Sequence, residues 1–212
     1  MRNVFFLVTL CISHSLFSQD DIPDYRPKRD RFVSLQDKDI RADLATFTMA
    51  GIDESISKLP LNKIPLVELQ KDYAIYKGND VTVTVKTGIF DPSAHKLLYY
   101  DEKWLVKIDN KGFFGNYGKI PRVNIKSVTV RIGQDSVNIP HEAFFDLYNP
   151  SFMYKDAGGT QRSLNGVYLS NDKRKIYIYM LSMDDRGSYE VTWVIQDKQY
   201  LRRVVDFGFM TQ

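Results

Sequence analysis

The stretch Lys175–Phe209, KIYIYMLSMDDRGSYEVTWVIQDKQYLRRVVDFGF, carries the clearest structural signal in the chain. It reads as three strands joined by two tight turns. In the middle strand Tyr189, Val191, Trp193 and Ile195 point one way, while Glu190, Thr192, Val194 and Gln196 point the other. This period of two predicts a half-buried antiparallel strand. Arg202-Arg203 interrupts the alternation between Leu201 and Val204, and a β-bulge there would restore the register.

Working back from this stretch, more strands appear. Val81, Val83 and Val85 alternate with Thr82, Thr84 and Lys86, after a reversing turn at Lys77-Gly78-Asn79-Asp80. Leu97–Tyr100 and Lys103–Ile108 form a hairpin about Asp101-Glu102. Val128, Val130 and Ile132 alternate with Thr129 and Arg131, and Gly133-Gln134-Asp135 turns the chain into Ser136–Ile139. Pro140 suits a first helical turn, so His141–Tyr148 is expected as a short helix ended by Asn149-Pro150. Leu44–Ala50 reads as a strand or short helix, and Asp53–Leu59 as a helical turn. The fold class is therefore mostly β: an antiparallel β-sandwich with one short helix, in a single domain over 40–212.

The spacing Asp185-x-Gly187-x-Tyr189-x-Val191 resembles the tyrosine corner of immunoglobulin-like sandwiches. Val191 stands where a disulfide-bearing member would have cysteine. The resemblance covers about a sixth of the chain. It implies a fold and no functional residue.

The N-terminus has the pattern of an export signal. Met1-Arg2-Asn3 is a positive start, Val4–Ile12 an apolar core, and Ser18 a small residue before Gln19. The alternative, a retained membrane anchor, suffers from an apolar run of about ten residues, short for a span. Cys11, the only cysteine, lies inside that run, so the mature chain would be cysteine-free and would enter a periplasmic or extracellular compartment without disulfides. Residues 19–39 are rich in charge and proline and read as a flexible tether. Arg26, Lys28, Arg29 and Arg31 cluster there, interrupted by Asp24 and Asp30, as in a solvated linker.

The 212 residues are 43% hydrophobic, enough for one real core, and 29 basic against 26 acidic residues argue against nucleic-acid binding. Motifs for chemistry are sparse. The mature chain's histidines, His95 and His141, have no zinc-ligand spacing, so neither a metal nor a cofactor is expected. No G-x-S-x-G elbow or P-loop occurs. The regular glycines Gly112, Gly115 and Gly118 have bulky aromatics where a phosphate would need close approach. The acidic pairs Asp53-Glu54, Asp101-Glu102 and Asp184-Asp185 fall in turns, where carboxylates are normally solvated. They lack the ligand spacing of a calcium loop.

The most distinctive stretch outside the strands is the loop Gly112–Gly118, GFFGNYG. Two readings compete. Phe113, Phe114, Asn116 and Tyr117 either present flat faces to a ligand, or the aromatics fold back to cover an open end of the sandwich. The function expected is an exported, non-catalytic binding or interaction module with a protein or glycan partner and no membrane span in the mature chain. The alternatives are a small hydrolase acting on an envelope polymer or glycan, and a structural accessory subunit of an envelope complex. The export reading has a direct check: when the chain is expressed in a bacterial host, the mature protein recovered outside the cytoplasm should begin at Gln19 by N-terminal sequencing. An unprocessed N-terminus would favour the anchor.

Overall fold

The computed structural model describes residues 22–56, 58–183 and 187–208. The proposed signal segment, Cys11 and the Asp184-Asp185 pair lie outside them. A seven-residue helix α1 (Lys38–Leu44) precedes fourteen strands. They are β1 (Asn62–Ile64), β2 (Leu66–Leu69), β3 (Tyr73–Gly78), β4 (Val81–Ile89), β5 (Leu97–Tyr100), β6 (Trp104–Ile108) and β7 (Val123–Ile132). After these come β8 (Asp135–Val137), β9 (Tyr154–Lys155), β10 (Gln161–Arg162), β11 (Gly166–Leu169), β12 (Lys175–Ser182), β13 (Tyr189–Gln196) and β14 (Gln199–Phe207).

Two five-stranded antiparallel sheets make the sandwich. The first has the order β2-β3-β4-β7-β8 and the second β1-β11-β12-β13-β14, while β5-β6 and β9-β10 are separate ribbons. Between the sheets lies the main core, with Val83, Val85, Val128 and Val130 from the first and Ile178, Val191, Trp193 and Ile195 from the second. The hairpin turns use residues that accept positive φ. Asn79-Asp80 sits between β3 and β4, Asp101-Glu102 between β5 and β6, and Asp197-Lys198 between β13 and β14. The bulge falls one residue before the expected arginine pair. Val194 faces Arg202 and Ile195 faces Tyr200, so Leu201 is the extra residue.

The strand arrangement differs from that of immunoglobulin domains, where the chain crosses repeatedly between the two sheets. Here the early strands meander through the first sheet and the late ones through the second, with β1 alone joining the edge of the second. The Tyr189 hydroxyl donates to the Tyr148 carbonyl at 3.1 Å, 41 residues upstream, so it ties two distant segments rather than a local corner.

The second sheet is buried on both faces, where the alternation of β13 suggested one. Glu190 and Thr192 are each only 2% exposed, and Val194 is fully buried. A cover of residues 32–61 lies over this outer face, with Phe32, Leu35, Ile40, Leu44 and Leu61 packed on Tyr177, Val194 and Val204. The stretch read as a tether thus contains Phe32 and Leu35, both buried, and the Asp30 carbonyl accepts from Val205 N at 2.8 Å. The fold's α-helix is α1 in this cover, not 141–148. Asp37 caps it by accepting from Asp39 N and Ile40 N, and Ile40 and Leu44, one turn apart, bury together. Residues 141–148 instead make a 3-10 turn, His141–Ala143. Two of their carbonyls serve distant partners: that of Ala143 accepts from Trp193 Nε1 at 2.8 Å, and that of Asp146 from Phe114 N at 2.9 Å.

Three carboxylates between cover and sheet find hydrogen-bond partners. Glu190 accepts from Met49 N at 2.8 Å, Ala50 N at 2.7 Å and the Tyr179 hydroxyl at 2.8 Å. Asp206 accepts from Phe32 N at 2.8 Å and from Arg31, and Asp43 accepts from the Tyr177 hydroxyl. Burial pushes the Glu190 carboxyl above its ordinary 4.5, and the bonds from Ala50, Met49 and Tyr179 recover part of that cost. Burial likewise raises Asp206, opposed by Phe32 N and Arg31. A carboxyl raised on folding binds more protons in the folded chain. Its contribution is full below the unfolded value and is lost as pH rises through the folded one. Glu190→Gln removes this titration. In urea unfolding at a series of pH values from about 4 upward, the variant's stability relative to wild type should improve as pH rises. A difference that stays constant with pH would mean that Glu190 does not titrate in this way.

Candidate functional site

The loop Gly112–Gly118 is a packing hub. Phe113 and Phe114 are each 1% exposed and Tyr117 is 6% exposed, so the aromatics take the inward of the two expected arrangements. Phe114 enters the main core against Phe207, with ring centroids 5.4 Å apart. Phe113 meets Tyr148 edge-on at 5.7 Å in a smaller cluster with Phe90, Leu105 and Ile108. The Tyr117 hydroxyl donates to the Pro23 carbonyl at 2.7 Å and accepts from Tyr25 N at 3.0 Å, which holds the chain's early segment. Asn116 is the partly exposed member and adopts positive φ in a turn. Its four residues therefore offer no aromatic face for a ligand to stack on.

The glycines are explained by close approach. A Cβ on Gly115 would stand 2.1 Å from the Tyr148 carbonyl oxygen, at φ +92, and one on Gly112 would stand 2.1 Å from the Tyr25 carbonyl oxygen. Gly187 meets this loop from the other side, its absent Cβ 2.3 Å from Asn116 N.

The other sequence candidates are dispersed. His95 Nδ1 lies 2.7 Å from Asp109 Oδ2, and its ring stacks on Phe90. The hydrogen bond from His95 and another from Lys96 N hold Asp109 below the usual carboxylate range. The neighbouring Ser93 hydroxyl donates to Asp91 at 2.6 Å, so it is not aligned as a nucleophile on His95. His141 is exposed, edge-on to Phe144. Glu54 is paired with Arg41, and Asp101-Glu102 is the tip of the β5–β6 hairpin. Among the described residues, His, Cys, Asp and Glu do not gather in any group of three able to hold a metal.

What the structure adds is a cleft of about 780 Å³ at one end of the sandwich. One wall is the end of β4, Thr87–Ile89, beside the start of β7. The facing wall is the segment 149–153, and Met183 flanks it just beyond β12. Lys71 and Asp72 come from the β2–β3 turn, and Arg122 from the residue before β7. The volume is in the usual range of about 300–1,000 Å³ for small-ligand sites.

The walls are fixed from behind. Asn149, at φ 46, accepts on its side chain from Arg122 N at 2.9 Å and Val123 N at 3.2 Å, and its backbone N–H donates to the Val123 carbonyl. Ser182 donates to the Asn149 carbonyl at 2.7 Å, and Asn165 to the Ser151 carbonyl at 2.8 Å. The cleft's walls are therefore tied to one another and to β12 by hydrogen bonds of their backbone. Its lining mixes apolar Ile89, Val123, Pro150, Phe152 and Met183 with the cations Lys71 and Arg122.

Sequence reading passed over this cleft because its residues come from five separated segments. The local marks were Gly88, a glycine inside a valine-rich strand, and Asn149-Pro150. Around Gly88, β4 indeed shifts register against β7, between Lys86 and Thr87. Compared with models of protein families, with curated proteins and with solved structures, the chain matches none.

The hub makes a sharp forecast. Phe114→Ala should destabilise the fold by about 3–5 kcal/mol, the usual cost of emptying a buried phenylalanine site. Gly115→Ala should also destabilise, through both its φ and its contact with Tyr148. Denaturant unfolding checks both, and a Phe114→Ala chain of unchanged stability would contradict the packing described.

Proposed function

We propose that this chain is an exported, non-catalytic binding module and that the end cleft is its recognition site. The observation that carries the reading is the cleft itself: a preformed concavity between the two sheets, with apolar side chains left in contact with solvent. Ile89, on its lip, is 83% exposed, and Met183 is 38% exposed. Exposed apolar side chains grouped in one concave place mark interaction sites more often than chance exposure does.

Export rests on the residue pattern of 1–18 and the lack of cysteine after it. The hydrolase alternative rests on the His95–Asp109 pair. That pair stands on an exposed surface, and neither residue lines the cleft. The immunoglobulin-like label rests on the spacing around Tyr189 alone, and the strand order gives it no added support.

The test is a thermal-unfolding screen of envelope glycans, peptides and alkyl ligands against the wild-type chain and Ile89→Asp. Ile89 is exposed, so the variant should keep the wild-type midpoint. A ligand present at a hundred times its Kd should stabilise the wild type by about 2.7 kcal/mol, a shift of several degrees. The variant should lose that shift. A ligand that stabilises both chains equally binds elsewhere and removes the cleft from the reading.

A further inference from the structure

The class of ligand can be read from the same cleft, and the inference rests on the cleft being the recognition site. We infer that it takes a small amphipathic anion, an alkyl chain ending in a carboxylate. Lys71 and Arg122 stand at the lining, with Asp72 as the one carboxylate beside them. A third cation, Lys126, lies outside the lining but next to its wall. Its stem lies across Gly88, where a Cβ would come within 2.7 Å of Lys126 Cε and 2.8 Å of Cγ. Glycine at 88 thus gives Lys126 room against the strand that forms the cleft wall. Among the described residues none of these three cations is engaged in an ion pair, whereas Arg41, Arg174, Lys198 and Arg203 each have a carboxylate partner. Two uncommitted cations against one carboxylate on the lining, with Lys126 close by, make the cleft electropositive in a chain whose charges are otherwise nearly balanced.

The rest of the lining selects the other end of the ligand. Ile89, Val123, Pro150, Met153 and Met183 are aliphatic or thioether surfaces, which accommodate a flexible alkyl chain. Sugar rings are typically held on flat aromatic faces. The one aromatic of the lining, Phe152, is 4% exposed, so a neutral glycan finds little to stack on here. An inorganic anion would use the cations and leave the apolar walls wet.

Titration calorimetry and methyl NMR of the whole chain with decanoate, decyl glucoside, decyltrimethylammonium and inorganic phosphate separate these cases, each kept below its aggregation concentration. Decanoate should bind at least about tenfold more tightly than decyl glucoside, weaken with added salt, and shift the Met153 and Met183 methyls. Phosphate alone should bind far more weakly. Lys71→Gln with Arg122→Gln should bring decanoate down to the level of the glucoside, and Ile89→Asp should weaken every decyl ligand. Equal affinity for the three headgroups, or a decanoate preference that survives the double glutamine variant, overturns the anion inference and leaves the cleft reading standing. Phosphate binding as tightly as decanoate overturns the alkyl part. If no decyl ligand moves the methionine methyls, both the inference and the cleft reading fall.

Discussion

Two strands near the centre of the second sheet, β12 and β13, have no solvent face, and the rest of the architecture answers to that. Their inner side chains meet the first sheet in an ordinary sandwich core. Their outer side chains include Tyr177, Tyr179, Glu190 and Thr192, which are costly to bury unless every polar atom finds a partner. The cover supplies partners for two of them, backbone N–H groups at Met49 and Ala50 for Glu190 and the carboxylate of Asp43 for Tyr177, while Tyr179 bonds Glu190 within the sheet. One layer of chain therefore does two things: it removes apolar surface from water and completes the hydrogen bonding of a polar sheet face.

The same economy shows at the other buried charges. Arg203 and Asp146 form a two-pronged ion pair deep in the fold, and Arg203 also donates to the Ala143 carbonyl, which receives Trp193 as well. Segment 143–148 is thereby tied to β13 and β14 by side chains and to the glycine-rich loop by backbone. A helix across 141–148 would have used the Ala143 carbonyl for its own Leu147 N–H, whereas here that carbonyl serves Trp193 and Arg203. Asn149, at the end of this segment, then sets the floor of the cleft. The cleft is thus anchored to a well-buried part of the molecule.

Much of the sheet was legible in the residues. The valine alternation of β4, the Asp101-Glu102 and Asn79-Asp80 turns and the break in β14 near Arg202 all reflect local rules of pleat and turn. Alternation does not, however, say whether the polar face is wet. Glu190 and Thr192 look like solvent-facing residues until a distant segment covers them, and nothing near position 190 announces Phe32 or Leu44. The cover was hidden for the complementary reason: its charge and proline content resembles a linker, while its few apolar residues are spaced for a surface made elsewhere. The glycine-rich loop was conspicuous, but its glycines serve backbone contacts to Tyr25 and Tyr148 that only the folded chain reveals. The cleft was the least legible, being assembled from short pieces of five segments.

Phe32 N bonded to Asp206, and Asp30 bonded to Val205, join positions about 174 residues apart. An early segment of the described chain thus closes onto the last of its described strands. Until β14 is in place, Asp30 and Phe32 lack the backbone and carboxylate partners that hold them. Contacts of such sequence separation are slow to form, because a long loop must close before they repay its entropy. The cover therefore seats late in folding, after β14 has joined its sheet, and the outer face of β12 and β13 stays open to water until then.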